Sequence, residues 1–295
     1  MGRSWADESP AARSVFDEAD RVLDAELSTL CWEGPVEELQ RTENTQPAIL
    51  TTSVAILRAV RDRLPPPVVV AGHSLGEYTA LIAAGVLEFS DAVRLVRERG
   101  RLMQEAVPEG EGAMAAIVGL DAGTVEDLAC EASSSGVCTA ANYNAPMQTV
   151  IAGEREAVER AVEIAKGRGA KRAVLLPVSA PFHSPLMAPA RAGLEPLLAN
   201  TDFGAASVPV VTNVGAAPVT EGAACREALG RQVDGPVRWV ESVQRMSDEF
   251  GVDTFVEIGP GSVLSGLIRR IVPGAKVVRL SEPAGLETFA GRGNS

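Results

Sequence analysis

VVVAGHSLGEYTALIAAGVL, residues 68–87, joins three valines to a tight Gly-His-Ser-Leu-Gly turn and a run of helix-forming residues. Val68 to Ala71 reads as a fully buried strand of the kind found in parallel sheets. Leu75 to Leu87 is apolar nearly all round, so it reads as a helix buried on most faces. A strand that enters such a turn and leaves as a helix forms a nucleophile elbow, in which only small residues fit beside the serine. Gly72 and Gly76 meet that demand around Ser74. The serine then sits at a helix N-terminus, where the N–H of Leu75 can face a developing oxyanion. The same letters also spell Ser-x-x-Glu, Ser74 to Glu77, a capping box that satisfies orphan N–H groups without chemistry. The two roles can coexist, and the context favours the nucleophile.

Outward from the turn, the chain alternates helices and strands. Residues 9–27 and 46–64 have helical spacing, and Pro65-Pro66-Pro67 ends the second helix before the valines. Helix, strand, turn and buried helix together predict an α/β layered domain, α/β-hydrolase-like around the elbow. The middle of the chain changes rhythm. Strands are expected at GAMAAIVGL, VCTAANYN, TVIAG and KRAVLLPVS, with helices at TVEDLACEA and REAVERAVEIAKG. The order β-α-β-β-α-β is the ferredoxin-like pattern. It places a small inserted domain at residues 112–178, between the two parts of a large domain, 1–111 and 179–295. Strands near VPVVTNV and TFVEIGP return to the large domain.

Composition narrows the functional classes. Asp and Glu outnumber Lys and Arg by 39 to 27, a net charge of −12, which argues against nucleic acid or an anionic membrane as the main partner. An acidic protein partner would need a local basic patch, for which Lys166, Arg168, Lys171 and Arg172, or Arg269 and Arg270, are candidates. Cys31, Cys130, Cys138 and Cys225 are far apart and form no Cys-x-x-Cys pair, so neither a metal site nor a disulfide framework is expected. No apolar stretch reaches the length of a membrane span, and the first residues lack a signal-peptide core. A cytoplasmic protein is expected.

A serine nucleophile needs a base, and the sequence holds only two histidines. His73 adjoins Ser74 and should leave the turn in another direction. His183, in SAPFHSPLM, is then the candidate base, its other ring nitrogen held by a carbonyl or a carboxylate. Arg99 lies on a helix whose apolar stripe is Ala92, Val96, Gly100, Met103 and Ala106. At 100° per residue it falls in the middle of that stripe, opposite Arg94, Arg97 and Arg101. An inward arginine must be paired, either in an internal ion pair or as a fork for a substrate carboxylate.

Together these stretches resemble the acyltransferase family of fatty acid and polyketide synthesis, malonyl-CoA:acyl-carrier-protein transacylases in particular. GHSLGEYTALIAAGVL is similar to its nucleophile segment and RERGRLMQEAVPEGEGAMAAIVGL to its arginine helix. ANYNAP, LLPVSAPFHSPLM, RQVDGPVRW and EIGPGSVLSGL are similar to further blocks, in the same order over almost the whole chain. The resemblance implies that Ser74 accepts a malonyl group, that His183 is the base and that Arg99 binds the free malonyl carboxylate. It implies that Gln232 holds His183 through its carbonyl and that Asn142 is an active-site asparagine. Leu75 after the serine and Phe182 before His183 resemble malonyl-selecting members, with Phe182 crowding a methyl branch. It implies acyl carrier protein as partner, malonyl-CoA as substrate and no cofactor. Family members carry a strand and a Gly-Gln-Gly-x-Gln turn before the Met-Gly at which this sequence starts. A glutamine of that turn supplies a second oxyanion N–H there, so the true start is expected upstream. The competing classes are a serine hydrolase or editing thioesterase, and an inactive truncated copy that only binds carrier protein.

Overall fold

A computed structural model describes residues 1–286, and its first quarter is helical. Ser9 separates α1 (Arg3–Glu8) from α2 (Pro10–Leu23) and caps α2 by accepting from the Ala12 N–H. Pro10 follows at the position where a missing N–H removes no helical bond. Two short helices, α3 (Leu27–Glu33) and α4 (Val36–Gln40), lead into α5 (Thr42–Val60), which begins one turn before the expected residue 46. That extra turn positions Gln46 inside the helix, buried and facing the core.

The valine run forms a shorter strand than expected. β1 covers only Val70–Ala71, and Val68 is 60% exposed. The expected four-residue buried strand is therefore corrected, and pairing gives the reason. β1 runs parallel to β6 (Val210–Val211) through Val70↔Val210 and Ala71↔Val211, and β6 pairs on its other side with β7 (Pro218–Val219). With only two residues of β6 to match, the earlier valines have no ladder to join. After the turn come α6 (Gly76–Ala83), shorter than expected, and α7 (Phe89–Glu105). α7 lies tightly on α5: a Cβ on Gly100 would stand 2.6 Å from the Thr42 carbonyl oxygen. Glycine is required there for the two helices to touch.

Residues 112–175 form a four-stranded antiparallel sheet from β2 (Gly112–Val118), β3 (Cys138–Ala145), β4 (Gln148–Glu154) and β5 (Arg172–Leu175), in the order β3-β4-β2-β5. α8 (Ala122–Ala132) and α9 (Arg155–Gly167) cover one face, burying Ile117, Leu128 and Val158 together. Met114, Val150 and Ala152 line the opposite face, against which Phe182 packs. The chain then passes through α10 (Ala188–Ala199), β6, β7, α11 (Gly222–Gln232) and α12 (Trp239–Phe250). A parallel pair follows, β8 (Thr254–Ile258) and β9 (Lys276–Leu280), linked by α13 (Val263–Ile271). Among the described residues no helix is long and apolar enough to cross a membrane.

Candidate active site

Ser74 sits in the turn between β1 and α6 with φ +51°. A non-glycine residue in the left-handed region costs on the order of 1–3 kcal/mol and persists only where its surroundings enforce it. Gly72 is one enforcing element: a Cβ there would fall 1.9 Å from the Gly76 carbonyl oxygen. Gly76 is different, since a Cβ there would meet open space. The expectation that both glycines are sterically required is corrected to Gly72 alone, because it is the Gly76 backbone that crowds Gly72. Two amides grip the serine backbone. Its N–H donates to Asn213 Oδ1 at 2.6 Å, and its carbonyl accepts from Gln232 Nε2 at 2.9 Å.

The capping box does not form. No side chain caps α6, and the Glu77 carboxylate turns to other partners. Ser74 Oγ instead lies 2.7 Å from His183 Nε2. His183 is buried, and its Nδ1 donates to the backbone carbonyl of Gln232 at 2.9 Å. A carbonyl can only accept, so this bond puts the proton on Nδ1 and leaves Nε2 as the acceptor facing the serine. Burial, and then the nearby Arg99 charge, push the imidazole down to about 3, which keeps it neutral at physiological pH. His73 leaves the turn elsewhere, bonding Asn144 Oδ1 at 2.7 Å.

Arg99 is 2% exposed. It donates to Gln46 Oε1 at 2.6 Å, Gln232 Oε1 at 2.8 Å and Ser74 Oγ at 3.2 Å. These acceptors are uncharged, and no acid pairs with it among the described residues. Of the two readings open in the sequence, the internal ion pair is therefore the one that does not form. Gln232 does more than expected. Its backbone oxygen holds His183, while its side chain spans Arg99, Ser74 and Glu77.

Leu75 is nearly buried, and its N–H meets no acceptor among the described residues. Phe182 is half-buried between the large core and the inner face of the four-stranded sheet. Asn142 is buried on β3, and its backbone bridges to Val237. No hydrogen bond joins its side chain to Ser74, His183 or Arg99. The asparagine that does reach the serine is Asn213, whose Nδ2 also holds the Gly72 carbonyl at 2.7 Å. Asn213 and Gln46 went unread in the sequence, and Glu77 was read only as part of a capping box. Each carried one faint signal, a polar residue beside or within an otherwise apolar segment.

Chemically, the site sets a serine against a neutral histidine, leaves one N–H free at the turn and adds a cation without an acid. That is equipment for acyl transfer with a negatively charged acyl group. Comparisons with known proteins agree. A Bacillus subtilis (strain 168) malonyl CoA-acyl carrier protein transacylase is 49% identical over 288 residues, covering 97% of this chain and 90% of that protein. The crystal structure of the acyl-carrier-protein S-malonyltransferase from Burkholderia pseudomallei 1710b superposes with TM-score 0.95 at 48% identity, covering 99% of this chain and 95% of that one. A type II PKS acyl-carrier protein in complex with its malonyl-transacylase gives TM-score 0.96 at 45% identity, covering 99% of this chain and 94% of that one. The acyl transferase domain family matches residues 1–282, and the chain belongs to that family.

Proposed function

We propose that the protein transfers a malonyl group from malonyl-CoA, through an ester on Ser74, to the phosphopantetheine thiol of an acyl carrier protein. The observation that carries this reading is Arg99, buried without an acid partner 3.2 Å from Ser74 Oγ. A hydrolase of neutral acyl groups has no use for a buried cation there.

His183 Nε2 takes the Ser74 proton as Oγ attacks the thioester carbonyl, and the Leu75 N–H donates to the oxyanion. The tetrahedral intermediate collapses, the C–S bond breaks, and coenzyme A leaves as the thiol with the proton from His183. The carrier thiol then attacks the malonyl-serine ester by the same steps in reverse. Arg99 disfavours the imidazolium that each step forms. A malonyl carboxylate held on the Arg99 fork offsets that charge, so the proper substrate also strengthens the base. Phe182 crowds a branched acyl group, a discrimination of about 1–3 kcal/mol. Asn142, buried on β3, is assigned to the acyl site on the family resemblance alone. Every step runs on the chain's own residues, without metal or bound cofactor.

The strand order β3-β4-β2-β5 supports a ferredoxin-like insert at 112–178 within an α/β-hydrolase-like domain made of 1–111 and 179–295. For an acidic carrier, Arg269 and Arg270 are the better basic patch. They bond the neutral oxygens of Val277 and Gln148, whereas Lys166 and Arg168 are paired with Glu163 and Glu131. The four free cysteines suit a reducing cytoplasm, where we place the protein.

Intact mass spectrometry after brief incubation with malonyl-CoA, and again after adding carrier protein, tests the reading. A malonyl adduct should form, move to the carrier, and be absent in Ser74→Ala. An adduct lost to water equally fast without carrier would instead make the protein a hydrolase.

A further inference from the structure

Glu77 is a buried carboxyl group in the active-site network, and the transfer chemistry gives it no task. One of its oxygens, Oε2, accepts from Gln232 Nε2 at 2.8 Å and from the Asn213 backbone N–H at 3.0 Å. These partners lie 155 and 136 residues away in the chain, and they are the two residues that hold the backbone of Ser74. Gln232 also supplies the carbonyl behind His183 and an acceptor for Arg99. A side-chain amide can sit either way round, and its neighbours decide which. Turned over, Gln232 would point its NH2 at the Arg99 guanidinium and its oxygen at the Ser74 carbonyl. Glu77 offers an acceptor only to the orientation that avoids both clashes.

Asn213 depends on the same oxygen. Its N–H is buried and would lose its partner without Glu77, and its side chain is what takes up the Ser74 N–H in the strained turn. The carboxyl group itself reaches neither Ser74 Oγ nor His183. We infer that Glu77 is a positioning residue: through Gln232 and Asn213 it holds Ser74 in the elbow and His183 within proton-transfer distance. The inference rests on Ser74 and His183 being the acylating pair.

A rival explanation is charge, with Glu77 serving as a distant counter-ion for Arg99. Two substitutions separate them. Glu77→Gln keeps an oxygen where Oε2 stands and removes the charge. Glu77→Asp keeps the charge and draws the oxygen back from both amides by one methylene. The readout is the rate at which Ser74 reacts with a fluorophosphonate probe, in which the serine oxygen bonds phosphorus and fluoride leaves. Beside it, kcat and KM are measured for malonyl-CoA, with melting curves to show that each variant is folded.

Positioning requires Glu77→Gln to react within about fivefold of the unaltered protein. It requires Glu77→Asp to be slowed by about 10–100-fold, in kcat with little change in KM, since small misplacements of reacting groups cost that much. Should Glu77→Asp not fold, Glu77→Ala is expected to show the same loss. The opposite ranking, or equal rates for all forms, overturns the inference. The probe carries no malonyl group. A protein that reacts with it in this pattern but accepts no malonyl group refutes the proposed function while leaving the role of Glu77 standing.

Discussion

Arg99 is the cation that touches Ser74 Oγ, so its removal should be felt in the choice of acyl group. Arg99→Ala is expected to lower the preference for malonyl-CoA over acetyl-CoA by about 10²-fold, the worth of a charge-assisted pair of hydrogen bonds. Competing acylation of Ser74 by the two thioesters measures it, and an equal loss for both would remove Arg99 from acyl recognition. At this scale the sequence was most legible where a residue type was scarce or out of place. There were two histidines to choose between, and one arginine on an apolar stripe. It was least legible where a residue works through partners far along the chain. Glu77 fits the capping spacing so well that nothing local points to Gln232 or Asn213. Asn142 shows another limit. β3 shifts register between Ala140 and Asn142 and again between Tyr143 and Ala145, and such irregularities re-aim side chains in ways a two-residue period does not foresee.

Among the elements, the β1–turn–α6 unit includes a close backbone contact, the approach of Gly72 to the Gly76 carbonyl. Gly72→Ala should therefore cost about 3 kcal/mol or more and abolish acylation, because backbone rather than a yielding side chain occupies the space. Gly76→Ala should stay within a few-fold of the unaltered protein. Thermal melts and Ser74 labelling of the two variants test the contrast, and equal damage would refute it. The helices and the β-α-β-β-α-β order of residues 112–175 were readable because each segment carries its own periodicity. The length of the strand before the serine turn was not. Three valines announce a buried strand, but how many of them pair is set by β6, 140 residues away between Val70 and Val210.

Taken whole, the molecule keeps a guanidinium in its interior among uncharged oxygens, and folding must bear the cost of drying that charge. A dicarboxylate that completes the site returns some of that free energy. At a hundredfold excess over its Kd, malonate should add about 2.7 kcal/mol, a rise of roughly 5 °C in Tm for a chain of this size. Acetate at equal ionic strength should add much less, and Arg99→Ala should respond to neither. Equal shifts from both anions in the unaltered protein would show that the charge is not waiting for an acid. The empty form is then the perishable one. In a cell short of malonyl donors the protein would spend more time open to proteases, so its lifetime, and with it its abundance, would follow the supply of its own substrate.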